Sequence, residues 1–362
     1  MEEMNNQVFE NQEMAADQEM TMPALAKGKK KLTVMIAIGA VVLLVACFFG
    51  FKAFRYRRAF KLIENGEYNE AYSIFESLGG FKDSEEQLKK FRYVPVRADW
   101  DEGYYSDSTK ITYDKNGMPK QTVLIDDEGD KYVTNYKYSE DGKLLKESDI
   151  DYDGSVSSTE YSYDKQGNLT KKVRTDSDGD TGTYLYENTY NHDGQLVKTV
   201  ETTPSGSKIT YNYSYDKDGN LIKAVETYTS GSKYTTEYTY ENGKNVKTVI
   251  TDAYGAQDVM TTTYDERGNL VKVVSIDSDG EIETAEYTYN SKDKVIQMVV
   301  VYSDGEVYAI DMEYDSNDNI VRMRVDYEDD EYEELNISYK LVYVSCDLSD
   351  EDYERIYLEY LV

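Results

Sequence analysis

The stretch Y-S-Y-D-K-D-G-N-L-I-K-A-V, residues 213–225, decides the fold. Nearly the same phrase stands at 161–173 as Y-S-Y-D-K-Q-G-N-L-T-K-K-V, and at 262–274 as T-T-Y-D-E-R-G-N-L-V-K-V-V. A phrase built for one active site has no reason to recur, so its purpose is architectural. The turn glycines give the period. One series runs Gly117, Gly142, Gly167, Gly194, Gly219, Gly243 and Gly268; a second runs Gly129, Gly154, Gly179, Gly206, Gly231, Gly255, Gly280 and Gly305. Where both members are present the second follows the first by 12 residues, and the full unit is about 25 residues. Two turns per unit imply two short strands, repeated about nine times from residue 109 to about 335.

Within each unit the strand chemistry is regular. Tyr138, Tyr163, Tyr190, Tyr215 and Tyr264 stand four residues before a first-series glycine, and Tyr136, Tyr161 and Tyr213 two residues earlier. After the turn come Leu169, Leu196, Leu221 and Leu270, then Lys171, Lys198, Lys223 and Lys272, then Val173, Val200, Val225 and Val274. Side chains alternate faces along a strand, so Tyr, Leu, Lys and Val are expected on one side of the sheet, with residues such as Thr210, Asn212 and Ser214 on the other. Tyrosine suits the covered side, because its ring buries while its hydroxyl stays hydrated. About eighteen strands exceed the roughly ten that an open sheet holds without curling. The expected fold is mainly β: a curled or spiral β-meander with the tyrosine face inward.

Tyr-Asp-x-x-Gly-Asn-Leu, at 163–169, 215–221 and 264–270, resembles the YD repeat of the rearrangement-hotspot (RHS) and teneurin-like proteins. In those families strings of such hairpins wind into a continuous spiral sheet. The resemblance covers residues 109–335 and implies a repeat shell and a surface location. It weakens toward the end, where Asp293 and Asp318 replace the turn glycine.

The front of the chain is different. Residues 1–31 read as a disordered acidic tail with a basic flank at Lys27, Lys29, Lys30 and Lys31. Residues 32–51 carry no charge and have the length of a transmembrane helix. This predicts a single-pass anchor, with the repeats outside the cell. A second reading makes Leu44-Val45-Ala46-Cys47 a lipobox-like sequence, anchoring a lipoprotein at Cys47. Residues 55–93 then read as a helical hairpin, with Ala59, Leu62, Ala71, Phe75 and Leu78 at helical spacing. Gly66-x-Tyr68-x-x-Ala71-x-x-x-Phe75 resembles half of a tetratricopeptide repeat. Residues 94–108 read as a linker and 336–362 as a C-terminal cap.

Composition narrows the function. A net charge of −30, from 70 acidic and 40 basic residues, argues against a nucleic-acid partner. Two cysteines, Cys47 and Cys346, make no disulfide framework. The single histidine, His192, stands in a turn, and no nucleophile elbow, metalloprotease helix or phosphate loop is present. The chain is therefore read as a non-catalytic binder or scaffold, with a passive spacer or RHS-like shell fragment, or a carboxylate-pair glycan hydrolase, as the alternatives. Its partners are the membrane, through residues 32–51, and a cell-wall glycan or an extracellular protein, which repeated tyrosines would contact.

One segment matches a metal-site pattern. D-I-D-Y-D-G-S-V-S-S-T-E, residues 149–160, places Asp149, Asp151, Asp153 and Glu160 at the ligand positions of a calcium loop. Asp-Gly is equally favoured in a hairpin turn, and this segment joins two strands. Calcium is the one cofactor the sequence offers, and turn chemistry is the competing reading.

Overall fold

A computed structural model describes residues 49–103, 105–327 and 332–346. The tail at 1–31, residues 32–48 of the expected membrane span, and residues 347–362 of the expected cap lie outside the described residues. Among the described residues no helix is long and apolar enough to cross a membrane. The chain divides into two compact units, Met1–Arg58 and Ala59–Val362. In the first, residues 49–58 are helical.

The second unit opens with a helical hairpin. Residues 59–64 form α1, Tyr68–Leu78 α2 and Ser84–Leu88 α3. Ala59 and Ala71 are fully buried, and such small residues let two helices approach closely. The Phe60 ring stands edge-on to Phe75 at 5.3 Å, a geometry the ring quadrupoles favour. Ile74, Phe75 and Leu78 complete the buried face of α2.

Twenty strands follow, numbered in chain order from β1 (Phe91–Asp101) and β2 (Ser106–Tyr113) to β20 (Tyr332–Tyr343). Each pairs antiparallel with its neighbours in sequence, as expected of a meander. The ends differ from the expected spiral. β1 pairs not only with β2 but also with β20, in register from Phe91 opposite Tyr343 to Asp101 opposite Glu334. The sheet is therefore a closed barrel. Segments read as linker and cap supply this seam: β1 takes up 94–101 of the first, and β20 extends through the second to Tyr343. Closure removes both sheet edges, which a spiral would leave unpaired. Followed once round, the pairings return to β1 about 22 residues from their start, for a strand tilt of about 40° and a backbone radius of roughly 18 Å.

The seam has its own core. Ala98, Leu335 and Ile337 are buried there, packed by Trp100, Met323 and Tyr339. Farther along, Val94, Met118, Val342 and Val344 form a second cluster that Tyr68 of α2 joins. Phe91 stacks edge-on with Tyr343 at 5.2 Å and with Tyr72 at 5.5 Å, so α2 covers the end of the β1–β20 ribbon. Fully burying side chains of this size contributes about 1.5–3 kcal/mol each.

The opening stretch shows how one hairpin is built. β10 (Lys208–Tyr215) and β11 (Leu221–Tyr228) turn through Asp216 to Asn220. One Asp216 carboxylate oxygen accepts the N–H groups of Asp218 and Asn220, each at 2.9 Å, which closes the turn. Gly219 follows at φ +90°, the left-handed region where a Cβ is disfavoured. The pairing then slips: Ser214 lies opposite Lys223, but Tyr215 opposite Leu221, leaving Ile222 as an extra residue. This β-bulge recurs in all nine hairpins of the first turn series.

The bulge corrects the expected faces. Leu221 stays with the tyrosines, whereas Lys223 and Val225 cross to the side of Ser214 and Asn212. The same holds for Leu169 against Lys171 and Val173 in β7 (Leu169–Thr175). One inserted residue exchanges every side chain beyond it. The crossed lysines meet glutamates on the next strand: Lys146 with Glu160 at 2.9 Å, Lys223 with Glu237 at 2.7 Å and Lys272 with Glu286 at 2.8 Å.

Candidate functional site

Two faces of the barrel have to be told apart before a site can be placed. Along β8 (Thr181–Tyr190), Tyr184, Tyr186, Asn188 and Tyr190 are partly covered, while Thr183, Leu185, Glu187 and Thr189 are exposed. The buried strand residues Thr199, Thr248, Ala285 and Val300 all share the tyrosine face. On a closed cylinder side chains converge inward and splay outward, so the more covered face is the concave one. The tyrosines line the interior. The outer face carries the Lys–Glu pairs, which is the reverse of a barrel whose outer surface meets lipid.

The tyrosine next to each first-series turn has a defined task. The Tyr215 hydroxyl donates to the Leu196 carbonyl at 2.8 Å. Regular pairing between β9 (Leu196–Thr202) and β10 stops at Lys198 opposite Asn212, so this bond bridges strands beyond the last ladder rung. The same link joins Tyr163 to Leu144, Tyr240 to Leu221, Tyr264 to Asn245, Tyr289 to Leu270 and Tyr314 to Val295, always across 19 residues. Tyr113 makes the equivalent bond to Pro95 at the seam. In the longer β8, Asn188 instead donates to the Leu169 carbonyl at 3.0 Å, and Tyr190 bonds the Asp164 carboxylate. Each Tyr-Asp pair thus has two jobs: Asp closes its own turn, and Tyr fastens the preceding hairpin.

The next tyrosines toward the other rim are not occupied in this way. Tyr161 donates to Glu147 at 2.6 Å, and burial followed by this carboxylate raises its phenol well above the usual range. Tyr186 lies directly opposite Glu201, and its phenol is pushed up to about 12 by burial and then by that charge. Tyr211 lies opposite Glu226 and contacts Glu201 at 3.4 Å; burial and the two carboxylates raise it further. Tyr228 and Tyr234 meet edge-on at 5.8 Å, with 36% and 39% of their surfaces exposed. Lys172 and Arg174 of β7 also fall on this face, Lys172 with its ammonium 4.4 Å above the Tyr184 ring.

The calcium-loop residues are not brought together. Asp149 faces inward and accepts a bond from Thr134 at 2.8 Å. Asp151 and Asp153 accept turn N–H groups from Tyr152 and Ser155, each at 2.8 Å. Glu160 lies on the outer face with Lys146, because it falls opposite Lys146 in the ladder while Asp149 falls opposite Ser157. Among the described residues no cluster of three or more acidic, histidine or cysteine side chains could hold a metal. Asp149 and Asp151 instead line an open cavity of about 450 Å³ together with Tyr132, Thr134, Ser157 and Arg174. His192 is fully exposed in its turn.

Residues 138–181 and 190–233 match the RHS Repeat family. They run from Tyr138 through β11 into β12 (Lys233–Glu241). Among curated proteins none matches the chain. Of solved structures, the TcdB2-TccC3-Cdc42 complex is similar at 16% identity over 62% of this chain, with a TM-score of 0.32. This chain covers 15% of that one. A porin-like protein from Bacteroides uniformis is similar at 14% identity over 68% of this chain and 98% of its own, also with a TM-score of 0.32.

Sequence reasoning did not single out Glu201, Glu226, Tyr186 or Tyr211 as site residues. A signal existed: glutamates at alternate-face positions among tyrosines, without the lysine 14 residues away that accompanies Glu160, Glu237 and Glu286.

Proposed function

We propose that this chain is a non-catalytic, membrane-tethered surface protein whose closed RHS-type ring scaffolds and binds an extracellular ligand, a cell-wall glycan. The carrying observation is the division of labour among the inner tyrosines. The row beside the first-series turns is spent on holding hairpins together, whereas Tyr228 and Tyr234, toward the opposite rim, stand exposed on a concave wall. Aromatic faces flanked by carboxylates and hydroxyls suit stacking against sugar rings with hydrogen bonds at their edges. The tether is read from residues 32–51, and the helical hairpin beside it serves as a tetratricopeptide-like collar.

Co-sedimentation with purified sacculi tests this reading. The compact unit 59–362 is the fragment to use, since it keeps β1 and its seam intact. Saturable pelleting that weakens on Tyr234→Ala is the expected result. Absence of pelleting would leave a protein ligand, or a spacer in which the ring serves only as a shell, as the better reading.

A further inference from the structure

Inner and outer walls of the ring handle charge differently. On the outer face Glu160, Glu237 and Glu286 each have a lysine within ion-pair distance. On the inner face of β8 to β12, Glu201 and Glu226 have no lysine or arginine paired with them among the described residues. Lys172 and Arg174 face inward on β7, and Lys143 and Lys244 stand over the Tyr163 and Tyr264 rings beside first-series turns, all outside this patch. What surrounds the two carboxylates is aromatic. Tyr186 is opposite Glu201, Tyr211 opposite Glu226 and within 3.4 Å of Glu201, and Tyr234 opposite Glu226 on its other side. Tyr228 packs edge-on against Tyr234. These six residues form one continuous patch on five adjacent strands, facing the lumen.

We infer that this patch is a binding site for an organic ammonium ion. Two features together select that class over a metal or a neutral ligand. The carboxylates are separated by tyrosines instead of converging on one point, so they supply field without the close oxygen shell that a hard cation needs. The rings offer negative faces, which attract an alkylated, weakly hydrated cation more than a strongly hydrated inorganic one. A concave wall of one charge sign concentrates field lines and raises the local concentration of the ligand. The patch shares Tyr234 with the wall proposed for the glycan, but the ammonium assignment does not rest on that reading: it stands whether or not the ring pellets with sacculi.

Titration calorimetry on the full-length chain in about 0.15 M sodium chloride tests the assignment, with tetramethylammonium and 1,4-diaminobutane as probes. Saturable binding of either probe is expected, and excess potassium at constant ionic strength should not displace it. Glu201→Gln with Glu226→Gln should weaken binding about tenfold or more. Tyr234→Leu, which keeps both charges, should weaken it severalfold, while Glu237→Gln on the outer face should leave it unchanged. The assignment is overturned if neither probe binds. It also fails if the double glutamine variant, folded by circular dichroism, binds as well as the parent, or if potassium displaces the probe equally.

Discussion

The Tyr215 hydroxyl donates to the Leu196 carbonyl at 2.8 Å, one strand back and 19 residues away. This bond lies where the β9–β10 ladder has already ended. It explains why the recurring aromatic is tyrosine: phenylalanine would fill the same volume and leave the carbonyl unpaired.

Replacing Tyr215 or Tyr289 by Phe is therefore expected to cost about 1 kcal/mol each, the net worth of one hydrogen bond. Urea unfolding of the single variants measures it. Tyr254, which is 95% exposed, is the matched control, and Tyr254→Phe should change stability by less than about 0.5 kcal/mol. Equal midpoints for all three variants would remove the link from the stability of the ring.

Closure can be tested covalently. Ala98 and Ile337 are directly opposed across the seam, a separation that antiparallel pairing keeps within disulfide reach. In a background lacking Cys47 and Cys346, the pair Ala98→Cys and Ile337→Cys should oxidise to an intrachain disulfide, seen as a mobility shift that reductant reverses. A spiral would hold the two ends apart, and only intermolecular products would form.

Glycine positions separate two kinds of constraint. A Cβ at Gly117 would lie 2.7 Å from the Tyr343 carbonyl oxygen, in addition to the strain of φ +81°. At Gly129 φ is +85°, but nothing lies within 4 Å. Gly129→Ala should cost about 1–2 kcal/mol from backbone strain alone. Gly117→Ala should cost visibly more in the same denaturation experiment, because the turn must also lift from β20.

Acid should loosen the turns. Hydrogen bonds from Asn220 lead the effects that hold the Asp216 carboxyl below its usual value of 3.8. For Asp265 and Asp315 burial opposes the shift, but bonds from Asn269 and Asn319 outweigh it. At the seam, bonds from Arg322 and Asn336 bring Glu334 down to about 2. A carboxyl depressed in the folded state stabilises above its unfolded value and loses that contribution as pH falls through the folded one. Stability should thus be steady above about pH 5 and decline below pH 4. Asp216→Asn should still close the turn, lose the carboxylate's share of neutral-pH stability and weaken the acid dependence. Asn191 and Asn290 already close equivalent turns with the same pair of N–H acceptances.

Much of the ring was legible in the sequence because it repeats. Turn glycines, closing aspartates and alternating tyrosines each recur at a fixed spacing, so hairpins and period follow from counting. Two features did not follow. The bulge at Ile222 inserts a residue into a strand that still alternates on paper, and so alternation alone places Lys223 and Val225 on the tyrosine face. The Lys223–Glu237 complementarity, 14 residues apart in sequence, was the available clue. The seam was hidden for another reason: β1 and β20 carry no repeat signature, and their pairing joins segments that local pattern cannot connect. For the candidate site, Asp149 to Glu160 fit the spacing of a single ligand loop, but strand parity divides that set between two faces.

A spiral can end after any strand, but a ring must count. Because β1 and β20 meet antiparallel, the number of strands between them has to be even, and a unit of two strands is the smallest change that preserves the seam. Gaining or losing one 25-residue repeat would alter the circumference by about two strand spacings, roughly 10 Å, while leaving every hairpin intact. The width of the lumen is thus set in discrete steps by copy number, independently of the residues that line it.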